Sequence, residues 1–469
     1  MLKLLLSFLL IASGAFAGDL SNNGSMSANG IAQDANDGPP AQNPAENPDD
    51  IFWDNTLSPS YPDGTFEAIE AFTVYNGRLI AGGCFTAIGG ISANSIAAWD
   101  GDSWSPLGSG VTWPGHYSFV NALAVYDGQL IAAGNFTSAG GISVNRIAAW
   151  DGSEWSALGT GTDWIISALT VYDNRLIAGG EFTTAGDVSV NGIAAWDGSS
   201  WSALGSGLNE YASVNALAVY DGLLIAGGWI TAAGGVAVHN IAAWDGSSWS
   251  PLGSGINGWA IALAVRHDTL VVCGDFNAAG SVECNYVAAW SQDSWCAVGS
   301  GMNDNVRALA VYDDKLIAGG LFTTAGGSDA NHIAAWDGSA WSALGSGLDG
   351  APRALAVYDS CLIVGGMFGR AGDKVAVNLA SWTSAIGPVP CCGRYTGGYT
   401  GNTDCSTDGE LTLNDITTLI DYVYITHGSP CCPENANVDG SADGEMTLND
   451  ITTLIDCVYI SNAQPAPCP

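Results

Sequence analysis

Two stretches near the C-terminus gather oxygen-bearing side chains at the spacing a hard divalent cation requires. In the first, Asp404, Ser406, Asp408, Thr412 and Asp415 fall at positions 1, 3, 5, 9 and 12 of a twelve-residue loop. In the second, Asp439, Ser441, Asp443, Thr447 and Asp450 repeat the pattern. Gly409 and Gly444 stand at position 6, where a sharp turn is needed, and the backbone carbonyls of Glu410 and Glu445 at position 7 can face the ion. Each copy reads as a calcium loop, so two ions are expected. A neutral serine at position 3 weakens each site, into the roughly 10⁻⁵ to 10⁻³ M range of low-charge loops.

What must position these ligands is a helix after each loop. Ile416, Leu419, Ile420 and Val423 recur at helical spacing, as do Ile451, Leu454, Ile455 and Val458. Thr412 and Thr447 stand three residues before Asp415 and Asp450, which suits a helix cap with its acidic residue at the positive end of the dipole. No helix is written before either loop. The approach segments, Cys391-Cys392-Gly393 and Cys431-Cys432-Pro433, carry glycine or proline.

A doubled loop-plus-helix closed by Asp resembles the type I dockerin family, over about residues 400 to 461. The resemblance implies that Asp404, Asp408, Asp415, Asp439, Asp443 and Asp450 are the calcium carboxylates. It also implies that the matching dyads Leu413-Asn414 and Leu448-Asn449 contact a cohesin-like receptor through a near-twofold surface. Ser406 and Ser441 replace the Asn or Asp usual at position 3, and the cysteine pairs are additional.

Upstream, one unit repeats from about residue 66 to 388. The valine of each Val-Tyr-Asp turn falls at Val74, Val125, Val171, Val219, Val265, Val311 and Val357, a period of 46 residues with two longer gaps. The tryptophan before a second turn falls at Trp99, Trp150, Trp196, Trp244, Trp290, Trp336 and Trp382. Seven units of this length predict a seven-bladed β-propeller. Asp-Gly after Val-Tyr and Asp-Gly after Ala-Trp both read as two-residue hairpin turns, giving four strands per unit. The glycine doublet and the later tryptophan pair resemble the kelch repeat. The first aromatic is Trp and not Tyr, and Ala133-Gly134 and Cys273-Gly274 interrupt the doublet. The last unit has Trp382 but no second tryptophan strand, while Ile51-Phe52-Trp53-Asp54-Asn55-Thr56-Leu57 lies just before the first unit. The N-terminal segment is expected to close the ring.

The fold class is therefore all-β, a propeller over 51–388, followed by a small α-helical dockerin-like domain over 389–469. Residues 1–17 read as a signal peptide, with a charged start, a short apolar run and Ala15-Phe16-Ala17 as cleavage site, and 18–50 as a linker. Export to the cell surface or beyond predicts that most of the twelve cysteines are bridged. A net charge of −35 argues against nucleic acid and anionic membranes. No run after the signal is long and apolar enough to span a bilayer.

Catalytic chemistry finds little support in the propeller. Repeated Asp, Gly and Trp residues serve hairpins and packing in nearly every unit, whereas catalytic groups are singular. The five histidines lack metal-ligand spacing, and the eight arginines form no recognisable carboxylate-binding motif. The irregular connections carry Trp113, His116, Tyr117, Trp164, Asn209, Glu210, Tyr211, Trp259, Asn303, Asp304 and Arg353, which could grip a glycan or peptide. The leading reading is an exported, non-catalytic binding or display protein docked through its tail. A secreted carbohydrate-active enzyme and a structural surface or adhesion component are the alternatives.

Overall fold

A computed structural model describes residues 47–58 and 68–384 of the chain. The run Leu130-Ile131-Ala132-Ala133-Gly134 shows why the repeat folds as it does. Every residue in it is buried, because it is an inner member of a four-stranded antiparallel sheet that is packed on both faces. That sheet comprises Phe119–Tyr126, Gln129–Asn135, Ile147–Trp150 and Trp155–Ala157, in order. Among the described residues there are seven such sheets.

The first strand of each sheet lies against the first strand of the next. Ala68–Tyr75 packs on Phe119–Tyr126, and at the other end of the chain Ala351–Tyr358 returns to Ala68–Tyr75. Between successive sheets sit apolar clusters, and one of them joins Ile69, Leu79 and Ala81 to Ile363 and Leu379. The sheets approach so closely that a Cβ added at Gly365 would stand 2.6 Å from Phe72 Cζ and 2.7 Å from Ile69 Cγ2. Glycine is required there by the neighbour and not by the turn. The fold is a β-propeller.

Two rings of hydrogen bonds stitch sheet to sheet. On the turn side, Tyr75 Oη donates to Gly128 O at 3.3 Å, and the same bond passes onward until Tyr358 Oη donates to Gly77 O at 3.1 Å. In the fifth sheet Arg266 takes the tyrosine's place, its Nε donating to Asp314 O at 2.8 Å. Nearer the rim, Trp155 Nε1 donates to Leu107 O at 2.9 Å and Trp341 Nε1 to Val298 O at 2.9 Å. Trp295 breaks this second ring, since its buried Nε1 has no partner.

The N-terminal segment closes the ring as its sequence suggests. Trp53–Asp54 forms the outer strand of the seventh sheet, with Trp53 opposite Trp382 and Asp54 opposite Ser381. Trp53 Nε1 donates to Leu344 O at 3.2 Å, and Leu57 O accepts from Trp104 Nε1 at 2.8 Å, so Trp53 to Leu57 imitates a Trp-Ser-Ala-Leu strand. The 3₁₀ turn Pro48–Phe52 belongs with this closure, because Asp50, the last residue of the expected linker, is buried and accepts from the Ser346 amide and hydroxyl at 2.6 and 2.7 Å.

Three local expectations need correction. The first turn has two residues, with Asp127 and Gly128 at φ 48° and 73° between paired Tyr126 and Gln129. The second has four, because Trp150 pairs with Trp155 while Asp151 Oδ1 accepts from the amides of Ser153 at 2.7 Å and Glu154 at 2.8 Å. An Asp that caps its own loop favours the wider turn. Where the fifth sheet lacks that Asp, Ser291 pairs with Ser294 and the turn shrinks to Gln292-Asp293. A hairpin absent from the four-strand reading, Ser138–Ala139 with Ile142–Ser143, spans the second-to-third connection. Finally, Cys273, Cys284, Cys296 and Cys361 are free thiols, not bridged. The sheet register sets Cys273 opposite Ala262 and Val287, Cys296 opposite Ala289, and Cys361 opposite Tyr358.

Candidate functional site

The candidate calcium ligands at 404–415 and 439–450, the dyads Leu413-Asn414 and Leu448-Asn449, and the signal sequence lie outside the described residues. Among the described residues no group of three His, Cys, Asp or Glu side chains is placed to hold a metal ion. No described helix is long and apolar enough to cross a membrane.

On the propeller, the connections between sheets and the small hairpins share one face. Asn209 Oδ1 accepts from the amides of Thr231 at 2.8 Å and Ala232 at 3.1 Å, which ties the incoming connection to the hairpin of its own sheet. Asn303 does the same for Thr323 and Thr324, at 2.9 and 3.0 Å. Asp163, Asn257 and Asp349 occupy the equivalent place. At Asp163 burial pushes the carboxyl up, but bonds from Thr183 Oγ1 and the Thr183 and Thr184 amides outweigh it and hold it below the ordinary range. Asn209 and Asn303, expected as ligand contacts, are structural clasps.

Other expected residues also turn out to be engaged. Trp113 stacks against His116 at 4.7 Å, with the Arg146 guanidinium 4.6 Å over its ring. Arg146 is buried, its Nη1 donates to Phe136 O at 3.2 Å and its Nε has no partner. It lines an open cleft of about 360 Å³ together with Asn145, Asp163 and Thr184. Trp164 packs against the core between the second and third sheets. Tyr117 and Tyr211 are exposed.

Singular residues collect instead at the loop end of the first strand of each sheet, the inner strand that lies against its counterparts in the neighbouring sheets. Each inner strand slips register by one residue at the same place, a β-bulge that lifts one side chain out of the ladder. The bulge residues are Glu70, Asn121, Ser167, Asn215, Ile261, Arg307 and Arg353. Their side chains reach the neighbouring sheet: Asn121 Nδ2 donates to Ile166 O at 3.4 Å and Asn215 Nδ2 to Ala260 O at 3.2 Å. Across the closure, Arg353 of the seventh sheet forms an ion pair with Glu70 of the first through Nη1 and Oε1, and its Nη2 meets Met367 Sδ at 3.1 Å. Burial pushes the Glu70 carboxyl up, against the opposing pull of Arg353 and Arg307. Burial and the like charge of Arg353 lower the pKa of Arg307, against the opposing pull of Glu70 and Asp304.

A second variable position follows the glycine doublet, one place per sheet. There Trp229, 45% exposed, meets Trp259, 39% exposed, edge to face at 5.8 Å. Sequence reading singled out Trp259 and Arg353 but missed Trp229, Glu70 and Arg307. The available signal was the aligned repeat itself: these are the columns where seven similar units stop agreeing.

A family model agrees with the architecture. A family model described as a domain of unknown function with a β-propeller (DUF5122) matches residues 127–148. The crystal structure of the WD40 β-propeller domain of Doa1 is similar at 15% identity, covering 69% of this chain and 95% of that chain with a TM-score of 0.43. The computationally designed Ika8 protein is similar at 18% identity, covering 69% and 98%, with a TM-score of 0.39. No curated protein matches the chain.

Proposed function

We propose that this chain is an exported, non-catalytic binding protein. Its propeller, read as seven-bladed and kelch-like, presents a ligand at the loop end of its inner strands. A calcium-dependent, dockerin-like tail docks it to a cohesin-like receptor. One contrast carries the reading. Most of the repeated Asp, Tyr and Trp residues serve turns, inter-sheet hydrogen bonds or inter-sheet packing, while residues unique to one sheet gather at a single face. A repeated scaffold carrying a singular rim is the economy expected of a display platform, since loops on a rigid frame can vary without cost to the core.

The test is an array of glycans and peptides probed with the full chain, run beside a reducing-sugar release assay. Binding without turnover that is lost in Trp229→Ala with Trp259→Ala, and kept in Tyr126→Phe on the opposite face, supports the reading. Turnover of any bound glycan favours the carbohydrate-active enzyme instead. Absence of both leaves the structural surface role. For the tail, calorimetric titration of the full chain should show saturable calcium binding at up to millimolar concentration. Asp415→Ala with Asp450→Ala should abolish it, and a wild-type chain that binds no calcium refutes the dockerin reading and its receptor together.

A further inference from the structure

Resting on the binding-face reading, we infer that Arg307, beside the Arg353–Glu70 pair, is a receptor for the C-terminal carboxylate of a peptide ending in an apolar residue.

The charge arithmetic points there first. The chain has only 11 Lys and Arg against 46 Asp and Glu, yet two of those cations occupy the same bulge position on adjacent inner strands, where other sheets carry Glu, Asn, Ser or Ile. Two carboxylates, Glu70 and Asp304, act on them. Glu70 is taken by Arg353, and Asp304, whose charge also reaches Arg307, accepts from the Asn305 amide, so the Arg307 side chain has nearby charge but no hydrogen-bonded carboxylate among the described residues. Its guanidinium is half-buried, in a setting where an Arg–carboxylate pair is stronger than in water and the flat fork accepts both carboxylate oxygens at once.

The neighbours decide the rest of the ligand. Ile261 holds the same bulge position on the adjacent fifth sheet, and Met367 of the seventh, exposed, contacts Arg353. The exposed Trp229–Trp259 pair stands further along on the fourth and fifth. An apolar side chain next to the carboxylate has surface to bury on these groups. The net charge of −35 disfavours a polyanion, whose remaining charges would meet an acidic surface. A ligand bringing one carboxylate on an apolar body gains the ion pair without that repulsion. A chain terminus meets this description.

The experiment is calorimetry on the full chain with short peptides ending in Leu or Phe, each as the free acid and as the C-terminal amide. We expect the acid to bind at least tenfold more tightly than the amide, with a preference that weakens as salt rises. Arg307→Gln should erase the acid–amide difference, and Arg307→Lys should restore part of it. Unchanged tryptophan-detected melting shows that the variants remain folded. Equal binding of acid and amide, an acid preference that survives Arg307→Gln, or no peptide binding at millimolar concentration overturns the inference. If peptides fail while a glycan binds the Trp229–Trp259 rim, this inference falls and the binding-face reading stands. If nothing binds that face, both fall.

Discussion

Replacing Trp53 with alanine tests the closure of the ring through a single side chain. Trp53 is 0% exposed, packs edge-on to Trp382 at 5.0 Å and donates to Leu344 O at 3.2 Å. Truncating a fully buried tryptophan costs about 3–5 kcal/mol, which includes the contacts, the cavity and the unmade bond to Leu344. For a domain of this size each kcal/mol moves the melting temperature by about 2 °C. Trp53→Ala should therefore lower it by about 6–10 °C, and Trp53→Phe, which keeps most of the volume, by about 2–4 °C. All 18 tryptophans lie between residues 53 and 382, so intrinsic fluorescence follows the propeller alone in the full chain. Tyr117→Ala, at a residue 65% exposed, serves as the control and should shift melting by less than about 1 °C. The loss should also bring aggregation on heating, because freeing Leu379–Trp382 exposes an unpaired sheet edge. A Trp53→Ala chain that melts with the wild type would show that the seam contributes nothing and that the ring is held by its inter-sheet clusters alone.

The broken tryptophan ring gives a paired test. Trp341→Phe should cost about 1 kcal/mol more than Trp295→Phe, because only the former loses a made hydrogen bond, and chemical denaturation of both variants measures the difference. Acid stability should depend on the capping aspartates. Hydrogen bonds at the turns, from the Ser247 hydroxyl first at Asp245 and from backbone amides first at the others, hold Asp100, Asp151, Asp197, Asp245 and Asp337 below their ordinary 3.8, Asp337 at about 2. Their contribution is present above pH 3.8 and is lost as pH falls through the lower folded values, so Asp197→Asn with Asp245→Asn should flatten the fall in melting temperature below pH 4. Native alkylation followed by peptide mapping should modify Cys296 ahead of Cys273, Cys284 and Cys361. Cys296 alone of these four is exposed, and burial pushes the Cys284 and Cys361 thiols up to about 11.

Sequence carried most of the architecture because a propeller unit is a local object. The Val-Tyr-Asp-Gly turn, the doublet and the tryptophan pair are short-range patterns, and their period is countable without any knowledge of contacts. Even the seam was legible, since Trp53 to Leu57 is a displaced copy of a strand missing three hundred residues later. The errors came from chemistry that pattern does not rank. Asp151 could turn the chain in two residues or cap a loop of four, and its hydrogen bonds to Ser153 and Glu154 select four. Asn209 and Asn303 had the composition of ligand contacts, yet their carbonyl oxygens are taken by backbone amides of the neighbouring hairpin.

The sequence by itself determined an all-β repeat, the closure of the ring by the N-terminus and the face on which variation would collect. Each follows from interactions between residues close in the chain, or from the identity of one repeat with another. Only the tertiary structure decided that Glu70 and Arg353, 283 residues apart, would meet, and that Arg307 would stand within reach of their charges. Neither residue's own repeat predicts that meeting. It arises because closing the ring sets the last sheet against the first, and a bulge at the same height in each strand turns both side chains to the seam.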